Sequence, residues 1–294
     1  MQIPAHLLFP LASSFAYVFA MLFFKRSGDW KVGVWRTAFL SNLTIGAAFA
    51  AFWFLGGSGQ PASMLWQPLI VAVLFVAGQV FGFLALHYGD VSVGTPVMGL
   101  KIVLVALGSA LMLPDPVPLR WWIAAMLSTL AILMLSRGES RRRHHVGLTI
   151  TTAALAAASF ALFDVLVQKW TPAWGVGRFL PLMFGMVSAL SFAFVPFFHA
   201  PLRAIPCAAW GWLTGGCLLL ALQSAIFVYA VGVFGDATVM NIVYSVRGLW
   251  SVIIVWLVGH WFANEEQTLA TSVLRSRLVG AALMLAAIAI AVLH

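Results

Sequence analysis

Two basic residues, Lys101 and Arg247, lie inside long apolar runs. Each follows an aspartate by eleven residues, Asp90 and Asp236, and the two pairs stand 146 positions apart (236 − 90 and 247 − 101). If the run around Arg247 is a helix entering a bilayer near Ala237, ten residues at ~1.5 Å each put the guanidinium ~15 Å deep, near the middle of a ~30 Å hydrocarbon core. An arginine facing lipid there costs at least ~2.5 kcal/mol, so the cation must face protein or water. The chemistry such residues offer is anion recognition. The planar fork of arginine holds a carboxylate or phosphate through two parallel bonds, and lysine acts as a point charge.

Other polar residues in the apolar runs extend this candidate site. Helical spacing puts Met240, Val243, Tyr244, Trp250 and Ser251 on the face of Arg247, with Asn241 in the same stretch. Gln79 and Gln223 fall mid-run and suit either a substrate amide or carboxylate, or bonds between helices. Ser14 and Tyr17 are three apart on one face. The expected substrate-binding set is therefore Lys101, Arg247, Tyr244, Trp250, Asn241, Ser251, Gln79, Gln223, Ser14 and Tyr17. Asp164, expected about one turn from the end of its run, is the candidate charge partner for either cation, or the carrier of a coupling proton. Asp90 and Asp236 are expected to cap the helices they precede. Gly94, Pro96 and Gly99 precede Lys101 and predict a kink there.

Catalytic patterns are lacking. No paired His/Asp/Glu set of metal-ligand type and no activated Ser/His or Ser/Lys arrangement occurs in the apolar runs, so no metal, cofactor or enzymatic role is expected. Cys207 and Cys217 form neither a disulfide framework nor a metal spacing.

The elements that must position these residues follow from composition. Hydrophobic residues make up 63% of the 294 and charged residues 8%. Soluble domains carry about 25% charged residues, so the fold class is an all-α polytopic membrane protein. Ten spans are expected: Pro4–Phe24, Val34–Phe54, Pro68–Leu86, Val91–Leu113, Trp121–Leu135, Leu148–Gln168, Phe179–Phe198, Ala209–Ala230, Ala237–Trp256 and Leu278–Leu293. Met1-Gln2-Ile3-Pro4 carries no positive charge ahead of its apolar run, so that run is expected to stay as the first span.

The 146-residue offset is part of a wider repeat. Ser14-Phe15-Ala16 matches Ser159-Phe160-Ala161, Arg36 matches Arg178, Gln79 with Phe83 matches Gln223 with Phe227, and Arg120 matches Arg277. The expected division is a first five-helix repeat over 1–138, a basic linker over 139–146 and a second repeat over 147–294. Five is odd, so the second half inserts upside down, as in many secondary transporters whose site lies between inverted halves.

Loop charges set the expected orientation. Eleven basic residues follow odd-numbered spans and three follow even-numbered ones. The odd loops and the linker Arg141-Arg142-Arg143-His144-His145 are then cytoplasmic, with both termini outside. The formal charge of +8 is thus an orientation signal and not a nucleic-acid footprint.

Ten spans in two halves, Ser-Phe-Ala opening each half and an arginine entering the next span together resemble the EamA-type members of the drug/metabolite transporter superfamily. The resemblance covers essentially the whole chain. It implies export or exchange of small metabolites such as amino acids. It also implies a central cavity lined by the first, third, fourth and sixth spans and their symmetry mates, in a bacterial-type inner membrane. A narrower resemblance is to the phosphorylated-sugar and nucleotide-sugar carriers of that superfamily, whose fourth and ninth spans hold phosphate with basic residues; Lys101 and Arg247 occupy those spans. Eukaryotic relatives usually keep their termini in the cytosol, opposite to the charge count. The expected partners are a small-molecule solute, anionic or zwitterionic, and the lipid bilayer, with Asp164 the candidate for proton coupling. A lipid-headgroup flippase of the same fold is the alternative function, and a membrane-embedded enzyme ranks behind it. Oligomeric state and transport direction are left open.

Overall fold

A computed structural model describes residues 4–88, 94, 97–135, 146–258 and 271–292. Among them there are helices and turns and no strand. The α-helices are α1 (Leu8–Gly28), α2 (Val34–Ala50), α3 (Trp66–Tyr88), α4 (Lys101–Met112), α5 (Leu119–Leu135), α6 (Val146–Trp174), α7 (Val176–Leu190), α8 (Cys207–Phe234), α9 (Ala237–Tyr244), α10 (Arg247–Val258) and α11 (Thr271–Val292). Seven helical segments are long and apolar enough to cross a membrane, and Val97–Met112 and Leu119–Leu135 are shorter apolar helices. Large apolar side chains stand on the outside: Phe54 is 93% exposed, Leu111 76% and Leu119 74%. A surface of that kind needs lipid against it.

Several expected ends move outward because polar residues are absorbed into helices. Helix α6 runs to Trp174 through Pro172, so Asp164 sits well inside it and not near its end. Helix α8 runs to Phe234, which shortens the following turn to Gly235-Asp236. Helix α11 starts at Thr271 and takes in Arg275 and Arg277. Both α2 and α7 continue as 3-10 turns, Ala51–Leu55 and Ser191–Phe197. The hairpin Gly89-Asp90, Pro96 and the basic linker Arg141–His145 lie outside the described residues.

The ninth expected span is broken. It becomes α9 and α10, separated by a turn at Ser245-Val246, and Arg247 opens α10. The hydrogen bonding tightens there, with Val246 N–H donating to Val243 O (3.1 Å) and Gly248 N–H to Ser245 O (3.0 Å). Residues 97–99 are likewise helical, a turn at Leu100 follows, and Lys101 opens α4. Leu100 N–H donates to Val97 O at 3.0 Å. Both buried cations thus stand directly after a turn in their helices.

Packing follows small residues. Helix α1 lies on α8, where Gly215 and Gly216 face Phe23 and Phe24, and α6 lies on α3, where Gly78 faces Phe160. Helices α2 and α7 cross at Gly46, against Ser188 and the Phe184 carbonyl, and Ser188 Oγ donates to Asn42 O at 2.9 Å. The rings of Phe49 and Phe184 stack at 4.1 Å between the same two helices. Helix α5 lies on α11 at Gly280. Without a hydrophobic drive between helices in lipid, close backbone approach at such residues supplies the packing energy.

Asp236 does not cap α9 as expected. It takes the N-cap position in a left-handed conformation (φ 53°), and its side chain makes no cap bond. Gln168 Oε1 accepts from Ala237 N–H instead, at 2.8 Å from α6. Burial pushes the Asp236 carboxyl above the usual carboxylate range, against the pull of His6 and with the push of Asp115. A raised folded pKa means that stability falls as pH rises from the unfolded value through the folded one. Asp236→Asn removes that loss and suits the left-handed backbone. It should melt higher than wild type at pH 7, with the gain vanishing near pH 3; an unchanged melting temperature at pH 7 would count against this account.

Candidate functional site

The helices enclose a cavity of about 870 Å³. Its mouth lies at the end of α1 and the start of α2, where Lys25, Gly28, Lys31 and His199 line it. Its floor holds Lys101, Asp164, Tyr17, Tyr244 and Arg247. The wall between is mainly apolar, with Met21, Phe75, Phe83, Phe163 and Phe227.

Lys101 is already neutralised. Its Nζ lies 2.7 Å from Asp164 Oδ2, with the aspartate side chain 2% exposed and the lysine 16%. Asn241 Nδ2 donates to the same carboxylate oxygen at 2.8 Å and to Ala237 O at 2.9 Å. The rings of Phe227 and Phe160 flank the ammonium at 5.7 and 6.0 Å. Three helices, α4, α6 and α9, therefore meet on one ion pair. The carboxylate thus pairs with Lys101 and not with Arg247.

Arg247 is held differently. Its guanidinium carbon lies 4.9 Å from the Tyr17 ring centre and 4.7 Å from that of Tyr244. The two phenol rings meet edge-on at 6.1 Å. Among the described residues no carboxylate lies within ion-pair distance of Arg247. A cation against aromatic rings gains about 0.5–2 kcal/mol; the guanidinium also hydrogen-bonds the Tyr244 side chain, and its remaining donors are left for another group.

The remaining expected residues divide. Gln79 lines the cavity but is locked to Asn42 by two reciprocal amide bonds, 2.8 and 2.9 Å. Gln223 also reaches the cavity, and its Nε2 donates to Ser13 Oγ at 3.1 Å, tying α8 to α1. Ser14 is fully buried and donates to Leu11 O, away from the cavity wall. Ser251 donates to Gly248 O within α10. Trp250 points at α1, edge-on to Phe15 at 5.7 Å and packed with Val18 and Leu22. Both follow Arg247 within α10, so the turn at Ser245-Val246 shifts all three together relative to Tyr244; α1 takes up the Trp250 ring and the helix's own carbonyl takes up the Ser251 hydroxyl.

Four contributors escape a reading of the sequence. Asn42 is one polar residue in an apolar run, and the logic that selects Gln79 selects it too. Gln168 looks like the end of a span. Lys25 and Lys31 read only as orientation signals, yet both stand at the cavity mouth.

Residues 4–137 match the EamA-like transporter family. A solved crystal structure overlies 99% of this chain and 98% of its own, with a TM-score of 0.77 at 16% identity, and so shares the fold. No curated protein matches the chain in sequence. With apolar helices of membrane-crossing length and a match to the EamA-like transporter family over residues 4–137, the chain is an integral membrane protein whose first half resembles the EamA-type transporters.

Proposed function

We propose that the protein is a secondary transporter, an exporter or exchanger of a small anionic or zwitterionic organic metabolite, in a bacterial-type inner membrane. It works by alternating access between two inverted five-helix repeats. The observation that carries this reading is the cavity itself. It is open at a basic mouth, floored by an arginine with no carboxylate partner among the described residues, and shut at the opposite end.

The packing supports the repeat. Exchanging the first half for the second maps α1 on α8 to α6 on α3, and α2 on α8 to α7 on α3. It maps α1 on α9 and α10 to α6 on α4, and the pairs α2–α7 and α5–α11 onto themselves. Gly33 and Gly175 open α2 and α7 with the same left-handed backbone, φ 83° and 76°. The turns at Leu100 and Ser245-Val246 also correspond. Broken helices at the interface of inverted halves are where transporters of this kind place their sites.

The two ends of the bundle differ as alternating access requires. At the closed end, Ser58 N–H donates to Trp174 O at 2.9 Å and Gln60 Nε2 to Ala173 O at 2.7 Å. A Cβ on Gly175 would stand 2.6 Å from Gly57 Cα, so only glycine fits that seam. At the equivalent place on the open end, a Cβ on Gly33 would meet only His199, at 4.0 Å. By the loop charges the open end faces the cytoplasm. Asp164 is the acid through which a proton gradient would couple, because protonating it frees Lys101.

Gly82 tests the path. It lines the cavity, and a Cβ there meets nothing within 4 Å. Gly82→Trp should fill the cavity without disturbing the helices. Proteoliposomes carrying it should lose counterflow of any solute the wild type exchanges, at an unchanged melting temperature. Full counterflow through that variant would refute the cavity as the route.

A further inference from the structure

The charges on the cavity floor restrict the solute further than its sign; this inference rests on the transporter reading above. Among the described residues four cations line the cavity, Lys25, Lys31, Lys101 and Arg247, against one acid, Asp164. Lys25 and Lys31 are exposed at the mouth, where they attract anions but are screened by water. At the floor, Lys101 and Asp164 cancel at 2.7 Å, and Asn241 fixes the carboxylate. Among the described residues one charge is left over, that of Arg247, held against Tyr17 and Tyr244.

We propose that the floor is a receptor for a single carboxylate carried on an apolar, ring-bearing body. The carboxylate takes the donors of the Arg247 guanidinium that Tyr17 and Tyr244, packed against one side of it, leave open. The phenylalanine-rich wall takes the body. A dianionic phosphate would bring one charge more than Arg247 can neutralise, and while Asp164 is ionised Lys101 could answer it only by leaving that carboxylate bare in a low-dielectric wall. An ammonium on the solute would need Asp164 and would leave Lys101 bare in the same way. The arrangement therefore selects against both phosphate esters and amino acids.

Four probes sharing one ring separate these classes: 3-phenylpropionate, its neutral amide, phenylalanine and phenyl phosphate. Their binding to the purified full chain is measured by calorimetry at pH 7.5. The expected result is binding of 3-phenylpropionate at least about tenfold tighter than of each of the other three, the scale of one charged hydrogen-bonded contact. Arg247→Gln should reduce that preference to near parity. This outcome is not needed to decide the matter, since the wild-type panel stands alone if the variant fails to fold. Equal or tighter binding of phenylalanine or phenyl phosphate, or no binding of 3-phenylpropionate, overturns the proposal. Counterflow in proteoliposomes separates the two readings. Exchange of phenylalanine or a phosphate ester without 3-phenylpropionate sinks the receptor class and leaves transport standing. Binding of 3-phenylpropionate without its exchange sinks transport and leaves the receptor.

Discussion

Asp164→Ala should lower unfolding stability by about 3–5 kcal/mol, because it strands a lysine against a low-dielectric wall. Asp164 is 2% exposed, and its Oδ2 accepts from both Lys101 and Asn241. Lys101→Ala should cost a similar amount by stranding the carboxylate. From the sequence alone, Lys101→Ala would be expected to stop transport and leave the fold intact. The ion pair changes that expectation, since transport loss in the single variant would be inseparable from damage to the bundle. The double replacement Lys101→Met with Asp164→Leu removes both charges and should recover most of the stability, as buried pairs exchanged for apolar residues commonly do. Reversible unfolding of the purified protein in mixed detergent measures all three. Single variants as stable as wild type would mean that the pair is wet and contributes little. The double variant also tests coupling. If it folds and exchanges solute but no longer responds to a pH gradient, Asp164 carries the proton; an undiminished response excludes it.

Gly175→Ala should open the closed end of the bundle. Two effects act together. A residue with a Cβ at φ 76° costs about 1–2 kcal/mol of backbone strain, and the new atom would lie 2.6 Å from Gly57 Cα. Backbone cannot rotate away as a side chain can, so the seam between the α2 loop and the α6–α7 turn must part. Gly33→Ala is the control, since φ is 83° there and the nearest atom is 4.0 Å away. It carries the strain without the clash. With Cys207 and Cys217 replaced by serine, Gly82→Cys reports access to the cavity. An impermeant thiol reagent should reach it from the mouth side only in the parent and in Gly33→Ala. In Gly175→Ala it should react from both sides. Labelling from one side in all three would show that the glycine seam does not control access.

Much of the architecture was legible because a bilayer imposes it. Backbone groups in hydrocarbon must be bonded within their own segment, so an uncharged apolar run of twenty residues is a helix whatever its neighbours are. Two runs depart from this, around Lys101 and Arg247. Gly94, Pro96 and Gly99 predict a kink ahead of Lys101, but around Arg247 the apolar pattern predicts a continuous helix, and the chain turns at both Leu100 and Ser245-Val246. Hydropathy does not register such turns, because no residue in Tyr244-Ser245-Val246-Arg247 is a strong helix breaker. Asp236 shows the same limit on a smaller scale. Its residue type and position suit a cap, but Gln168 of α6 takes the N–H first.

The sequence by itself determined the membrane class, the positions of the apolar helices and the presence of two cations within them. These depend on residue type and on distance along the chain, which a single sequence carries in full. Tertiary structure alone decided which cation is free. Nothing in spacing separates Lys101 from Arg247, since the two are equivalent under the 146-residue offset. The packing of α6 against α4 brings Asp164 to Lys101, and the packing of α1 against α9 and α10 brings Tyr17 to Arg247. Charge partners separated by 63 residues or more in the chain are set by helix packing, which local pattern does not encode. The same packing turned Trp250 toward α1 and, among the described residues, left the cavity with a single uncompensated charge on its floor.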